Sequence, residues 1–203
     1  MCIRDRHNSK AFVISMIRLS NTLSSSEIYG PGKRYVIWVQ GCSLECPGCW
    51  NKELWSDEGG YLANVEDLIL DISSTDGIEG ITILGGEPLE QSASVFEIIK
   101  SSRDLGLTVM LYTGYEKHEL NNSQLDCLNY TDIVIMGRYI ASLRDTGLRW
   151  RGSSNQKIEI LSEIYRGLEI EEREEVEITI DPDGKISMAG YPKRWLLKVL
   201  EEL

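Results

Sequence analysis

Three cysteines stand close together in the first quarter of the chain, at Cys42, Cys46 and Cys49. Thiolates at this spacing can hold a metal centre, because cysteine sulfur binds both zinc and iron–sulfur clusters. Closed structural zinc sites and most iron–sulfur clusters take four protein ligands, whereas a catalytic site keeps one position open for substrate. Three ligands therefore indicate a metal centre with an open coordination position, at which chemistry can take place.

The cysteines directly follow a predicted strand. Residues 34–40, Arg-Tyr-Val-Ile-Trp-Val-Gln, are rich in the β-branched and aromatic side chains of a core strand. The pattern predicts further strands at 80–84, 107–113 and 132–136, and helices at 65–72, 95–102 and 116–128. Alternating strands and helices imply parallel βαβ units in an α/β fold, and we expect five or six parallel strands.

Two further polar segments follow the next two predicted strands. Gly85–Pro88 comes after the second strand and Thr113–Gly114 after the third. Because ligands of α/β sheets bind beyond the carboxyl ends of the strands, we expect one site to draw on all three loops. Glycine allows a ligand to approach the backbone closely. Glu87 is a candidate acceptor for a cationic group, with an ordinary loop carboxylate facing water as the alternative.

Composition limits the class of protein. A chain of 203 residues with 42% hydrophobic residues suits one domain with a sizeable core. The formal net charge of −11 argues against a nucleic-acid partner, which would call for a basic face. We find no apolar run long enough to span a bilayer, so we expect no membrane association. Five cysteines, three of them crowded together, favour metal binding over disulfides and hence a reducing, cytoplasmic location.

The two ends of the chain carry none of these motifs. Residues 1–15 are predicted to be a disordered or non-native extension, and 16–203 a single domain. The apolar run 11–17 resembles a short signal peptide, but Arg18 ends it without a clear cleavage site, so we expect no export. Strands at 176–180 and 185–188 predict a hairpin. The amphipathic pattern at 192–203 predicts a short helix that caps the core or docks on a partner.

The cysteine loop and the Gly-Gly-Glu-Pro segment, in this order, resemble the radical S-adenosylmethionine (SAM) enzymes. Within them the chain is similar to the activating proteins of anaerobic ribonucleotide reductase, over about residues 28–156. An aromatic residue directly after the third cysteine, here Trp50, is typical of these activating proteins. Many other radical SAM enzymes instead place an aromatic residue directly before the third cysteine. The segments that carry the resemblance are Tyr29–Gly32, Gly41–Lys52, Gly85–Leu89, Tyr112–Tyr115 and Trp150–Gln156.

The resemblance implies a fold and a set of site residues. The fold would be an incomplete, open (β/α) barrel of the short radical SAM type, with 28–156 as the core of the domain and 157–203 as a C-terminal extension containing the hairpin and the closing helix. Cys42, Cys46 and Cys49 would hold a [4Fe–4S] cluster whose open iron binds SAM. The residues expected to contact the cofactor are Trp50, Gly85, Gly86, Glu87, Pro88, Thr113 and Gly114.

It also implies an activity and partners. The reduced cluster would cleave SAM to a 5′-deoxyadenosyl radical, which takes a hydrogen atom from a glycine of a large glycyl-radical enzyme, in the first instance anaerobic ribonucleoside-triphosphate reductase. The electron would come from a flavodoxin- or ferredoxin-type donor. Two alternatives remain open. One is a free-standing radical SAM enzyme for a small heterocyclic substrate, similar to deazapurine synthases. The other is a non-catalytic zinc- or cluster-binding module, with His118 as a possible fourth zinc ligand.

Overall fold

The computed structural model describes residues 14–172, 175–180, 183–184 and 186–190. The strands of this part of the chain are β1 (Met16–Ser26), β2 (Arg34–Val39), β3 (Tyr61–Asn64), β4 (Gly80–Gly85), β5 (Thr108–Thr113), β6 (Ile133–Met136), β7 (Lys157–Ile160), β8 (Val176–Ile180) and β9 (Ile186–Gly190). The helices are α1 (Val65–Ser74), α2 (Ser92–Asp104) and α3 (Asn122–Asn129). Short 3-10 turns occupy Lys52–Leu54, Pro88–Gln91, Lys117–Glu119, Ala141–Leu143 and Glu163–Tyr165.

A seven-stranded sheet in the order β3-β1-β2-β4-β5-β6-β7 forms the centre of the molecule. The neighbours β2, β4, β5 and β6 run parallel, as predicted, whereas β1, β3 and β7 are antiparallel to their neighbours. Within the described residues only four strands pair in parallel, fewer than the five or six expected, and the sheet is mixed. Strand β3 shares their direction but pairs only with the antiparallel β1. The connection from β1 to β2 is too short for the crossover that a parallel pair requires. No α-helix lies between β6 and β7 to make such a crossover.

Each face of the sheet is covered by a different part of the chain. One face packs against the three helices, and alternate residues of the strands, such as Val109 and Leu111 of β5, belong to that core. On the other face lie Met110, Ile133 and Ile135, with Trp150. Tyr165, Leu168 and Ile170, from the segment that follows β7, pack against this second cluster. In the described part of the chain, the segment that follows β7 therefore covers part of the sheet face opposite the helices.

The third helix begins later than its sequence pattern suggests. The sequence pattern predicts a helix at 116–128, but Lys117–Glu119 forms a separate 3-10 turn. Glu116 caps this turn, and its N–H donates to the Glu119 carboxylate at 2.7 Å. Helix α3 then begins after Asn121, whose side chain accepts from the Gln124 N–H at 3.1 Å. One reciprocal capping box begins the 3-10 turn and a second begins α3, so the apolar periodicity spans two elements.

A buried arginine connects the amino-terminal ends of the parallel strands. Arg34 is fully buried, and its guanidinium donates to Thr82 Oγ1 at 2.7 Å and to the carbonyl oxygen of Ile81 at 2.5 Å. Further bonds go to the carbonyl oxygens of Pro31 and Thr108 and to Thr108 Oγ1, each at 3.1 Å. Gly30 has φ of 152°, and a Cβ there would lie 2.4 Å from Arg34 Cδ. Only glycine therefore fits beside this side chain.

The remaining predictions concern the two ends of the chain. The C-terminal hairpin is confirmed, with β8 and β9 pairing antiparallel from Val176 opposite Gly190 to Ile180 opposite Ile186. The closing helix predicted at 192–203, and most of the extension predicted at 1–15, lie outside the described residues. Ser15 is described, and its carbonyl oxygen accepts from the Val65 N–H at 2.9 Å. None of the helices in the described ranges has the length and apolarity needed to cross a membrane.

Candidate functional site

The loop that follows β2 carries the three cysteines and is fixed at its base by backbone hydrogen bonds. Gly41 N–H donates to the carbonyl of Leu54, and Cys42 N–H to that of Trp55, both at 2.9 Å. The side chain of Gln40 adds bonds to the carbonyls of Glu53 and Ser56. The chain therefore leaves β2, passes through the cysteines and returns beside its own starting point, which gives the loop a defined shape without regular secondary structure.

All three thiols are free and partly exposed. Burial raises the pKa of the Cys42 thiol to about 11, and burial also raises the pKa of the Cys46 thiol. Both are therefore protonated at neutral pH in the metal-free protein, and metal binding must release these protons. Cys127 is the remaining cysteine of the described part of the chain; it is buried, and its Sγ lies 3.4 Å from the carbonyl oxygen of Ser92.

The segment after β4 lies directly against the cysteine loop. Gly86 N–H donates to the carbonyl of Val39, and Glu87 N–H donates to that of Gly41 at 2.8 Å. A Cβ at Gly86 would lie 2.2 Å from the carbonyl oxygen of Gly41, and Gly85 has φ of 111°. Both positions therefore require glycine, one because of the close approach of two backbones and the other because of its left-handed conformation.

The carboxylate of Glu87 points into the protein and is 1% exposed. Its Oε1 accepts from Thr113 Oγ1 at 2.8 Å and from the Leu89 N–H at 3.0 Å, while Oε2 accepts from the Gly114 N–H at 2.7 Å. Burial raises the pKa of this carboxyl to about 7, and the three donors partly offset that rise. Glu87 thus joins the loop after β4 to the end of β5 instead of facing water.

One cleft draws together nearly all of the residues predicted for the site. The residues lining it include Cys42, Cys46, Cys49, Trp50, Gly85, Gly86, Glu87, Thr113 and Gly114. Pro88 is buried at the start of its 3-10 turn. At the rim Trp50 is 47% exposed, and the guanidinium carbon of Arg144 lies 4.2 Å from the centre of its ring. The three loops therefore converge, as the strand order predicts.

Besides the loops after β2, β4 and β5, a fourth segment forms a wall of the cleft, and the sequence motifs indicate only part of it. It comes from residues 137–156, between β6 and β7, and includes Tyr139, Arg144, Asp145, Trp150 and Gln156. The sequence motifs include the Trp150–Gln156 segment but not Tyr139, Arg144 and Asp145, which sequence reasoning therefore misses. The rule that placed the first three loops applies equally to the loop after the fourth parallel strand and would have found them.

The C-terminal extension contacts this fourth wall through charged groups. The Arg151 guanidinium pairs with Glu172, and the Arg149 N–H donates to the same carboxylate. Arg149 Nε lies 3.3 Å from Glu175 Oε2. Acidic residues of the extension therefore hold the loop that carries Trp150, a buried residue with φ of 63°.

The donor set of the cleft fits an iron–sulfur cluster. Three cysteine thiols face one cleft, and the only other described cysteine, Cys127, lies elsewhere, so one position of a four-iron cluster would lack a cysteine ligand. The side chain of His118, the possible fourth zinc ligand, is 78% exposed, and its Nδ1 lies 3.7 Å from Glu116 Oε2. His118 is not among the residues that line the cleft. Among the described residues, no group of three or more His, Cys, Asp or Glu side chains could hold a single metal ion.

Comparison with known proteins places the chain among iron–sulfur proteins. A family model described as "4Fe-4S single cluster domain" matches residues 28–159. The chain is 34% identical over 140 residues to the anaerobic ribonucleoside-triphosphate reductase-activating protein of Escherichia coli (strain K12), a match that spans 64% of this chain and 90% of that protein. The proteins of the same name from Vibrio cholerae and Enterobacteria phage T4 are each 34% identical over 139 residues, spanning 64% of this chain and 90% and 86% of theirs.

Proposed function

Because this chain belongs to the family of anaerobic ribonucleoside-triphosphate reductase-activating proteins, we propose that it is a radical SAM enzyme that installs a glycyl radical on an anaerobic ribonucleotide reductase. The observation that carries the proposal is the cleft in which three free cysteines face the backbone of Gly85–Glu87 and Thr113–Gly114. The proposed fold, an open short barrel of the radical SAM type, is supported by the parallel strands β2, β4, β5 and β6 ending at this cleft.

Cys42, Cys46 and Cys49 are the residues that would hold a [4Fe–4S] cluster. When bound and reduced, the cluster supplies the electron for cleavage of SAM to methionine and a 5′-deoxyadenosyl radical, which takes a hydrogen atom from a glycine of the partner. The thiols must lose their protons to bind iron, and the raised pKa of Cys42 makes assembly easier at higher pH.

The backbone of Gly85 and Gly86 forms the part of the cleft nearest the cysteine loop, where a ligand of the open iron would lie. The absence of Cβ atoms lets this segment pack directly against the backbone of Val39 and Gly41. The main-chain atoms of Gly85 and Gly86 are thereby held beside the cysteine loop, where the amino and carboxylate groups of SAM would bind. Glu87 acts here by holding Gly114 and Thr113 in place, since its carboxylate oxygens already accept three hydrogen bonds from the chain.

The apolar and aromatic side chains of the cleft keep water from a radical. Leu44, Tyr112 and Trp150 line it, and Trp150 is only 8% exposed. A radical that abstracts hydrogen atoms survives only where water and unwanted hydrogen-atom donors are excluded. These side chains beside the cysteine loop would therefore protect the radical. The mouth of the cleft, near the exposed Trp50 and Arg144, is where a loop of the partner would enter.

The test begins with anaerobic reconstitution of the chain with iron and sulfide. Reduction by dithionite in the presence of SAM should yield 5′-deoxyadenosine, and addition of an anaerobic ribonucleotide reductase should yield a glycyl-radical signal in electron paramagnetic resonance. A flavodoxin or ferredoxin should replace dithionite as donor. A protein that binds one zinc and forms no 5′-deoxyadenosine would contradict the proposal. Product formation that never transfers a radical to the reductase would point instead to a small-molecule substrate.

A further inference from the structure

We infer that Glu90 is a positioning residue for the iron–sulfur cluster, which orders the cysteine loop through Ser43 and lowers the reduction potential of the cluster. The inference rests on the proposed function, because it concerns the cluster that Cys42, Cys46 and Cys49 would hold. Glu90 lies outside the Gly-Gly-Glu-Pro motif, on the 3-10 turn Pro88–Gln91 that follows it.

The carboxylate of Glu90 binds the residue next to the first cysteine through both of its donors. The Ser43 N–H donates to Oε1 at 3.0 Å and to Oε2 at 3.2 Å, and the Ser43 hydroxyl donates to Oε1 at 2.6 Å. The Tyr115 hydroxyl also donates to Oε1, at 3.3 Å. Hydrogen bonds to a carboxylate are stronger than those between neutral groups, so this one side chain fixes the start of the cysteine loop.

The position of Glu90 is itself fixed from two sides. Its N–H donates to the carbonyl oxygen of Glu87 at 3.1 Å. The next residue, Gln91, accepts from the Arg18 N–H at 2.8 Å and donates to the carbonyls of Arg18 and Gln40. The carboxylate of Glu90 therefore extends from a turn that is bound to β1 and to the end of β2.

The contact has an electrostatic consequence for a cluster in this loop. The potential of a cluster depends on hydrogen bonds to its sulfurs and on nearby charge. Backbone N–H groups beside a ligating cysteine commonly stabilise the reduced, more negative cluster, but the Ser43 N–H is bound by Glu90. The carboxylate also adds a negative charge close to Cys42. Both effects disfavour the reduced state and so make the cluster a stronger reductant, as cleavage of SAM requires.

The experiment compares Glu90→Gln with Glu45→Gln, its matched control. Glu45 is an exposed carboxylate in the same loop, between Cys42 and Cys46, so both variants remove one negative charge near the site. In the metal-free protein, hydrogen exchange of the Ser43 amide should be about tenfold faster in Glu90→Gln and unchanged in Glu45→Gln. After reconstitution, iron loss to a chelator should be about tenfold faster in Glu90→Gln alone.

The reduction potential separates a positioning role from a merely structural one. Redox titration followed by electron paramagnetic resonance should give a more positive potential for Glu90→Gln, with a smaller shift for Glu45→Gln. An unchanged potential in Glu90→Gln, or equal shifts in the two variants, would overturn the inference. If the unmodified protein took up no iron, the proposed function would fail, and the amide exchange would still decide whether Glu90 orders the loop.

Discussion

The hydroxyl of Thr113 donates to the carboxylate of Glu87 at 2.8 Å and so joins the last residue of β5 to the loop after β4. The same carboxylate accepts from the N–H groups of Leu89 and Gly114. These three donors favour the charged form of Glu87, whereas burial favours the protonated form and raises the pKa of the carboxyl to about 7. Its protonation therefore affects both the stability of the fold and the shape of the cleft.

The first prediction concerns the pH dependence of stability. The pKa of Glu87 is raised by burial to about 7 from its ordinary 4.5, so between these values the folded protein holds more protons than the unfolded one. This contribution to stability is complete below about pH 4.5 and is lost as the pH rises through 7. Relative to Glu87→Gln, the unfolding free energy of the unmodified protein should fall by up to about 3 kcal/mol from pH 5 to 8.

Urea unfolding of the metal-free proteins across this pH range measures the difference. Glu119→Gln is the control, because its hydrogen bond with Arg138 lowers the pKa of Glu119 to about 2, so this group should not titrate between pH 5 and 8. Parallel stability curves for the unmodified protein and Glu87→Gln would contradict the prediction.

Replacement of Cys46 by Ala should abolish cluster binding while leaving the chain folded. Cys46 is partly exposed in a loop whose backbone bonds at Gly41 and Cys42 do not involve its side chain. Iron content and 5′-deoxyadenosine formation should both be lost, with an unchanged circular dichroism spectrum. Cys127→Ala, in α3, should keep the cluster and its activity. SAM cleavage by Cys46→Ala would refute the assignment of the ligands.

Gly86→Ala should separate the two loops that form the cleft. The added methyl group would lie 2.2 Å from the carbonyl oxygen of Gly41, a backbone atom that cannot move aside alone. We expect a destabilisation of about 1–3 kcal/mol and loss of SAM binding, measured by thermal unfolding and by calorimetry. Gly77→Ala is the control, since no atom lies within 4 Å of its Cβ position and only the strain of its φ of 73° is added. Similar SAM binding by both variants would contradict the prediction.

Arg34→Met should destabilise the protein by at least about 3 kcal/mol, because it leaves buried acceptors on β4 and β5 without a donor. Chemical denaturation of the metal-free protein gives the value. Arg166→Met removes an exposed pair with Glu163 and should cost at most about 0.5 kcal/mol. Equal losses in the two variants would mean that the buried network adds nothing to stability.

The central strands could be predicted because each is a short apolar run covered on both faces. The edge strands could not. Tyr61 and Leu62 of β3 are about half exposed, at 47% and 56%, and β7 has no buried residue, so neither shows the pattern of a core strand. Strand β1 begins inside an apolar run that resembles a signal peptide, and only its pairing with β2 and β3 reveals it as a strand.

The site was predictable as far as single motifs and strand order determine it. Local sequence indicates that Glu87 follows two glycines, but not that its side chain binds Thr113 and Gly114, which lie 26 and 27 residues further along. The same holds for Glu90 and Ser43, separated by 47 residues. Such partners depend on the register of β2, β4 and β5, which sequence patterns alone do not define.

The segments that pack on the two faces of the sheet lie at different distances along the chain from the strands they cover. Helices α1, α2 and α3 follow the strands they pack on, so contacts on that face are mostly local in the chain. The opposite face receives Tyr165, Leu168 and Ile170, more than fifty residues after Met110. Closing so long a loop costs entropy before its contacts form, so the helical face should be assembled first during folding. Tyr112 and Trp150, which line the cleft, belong to the cluster on this second face, so this side of the cleft would remain open to non-native association until the last step.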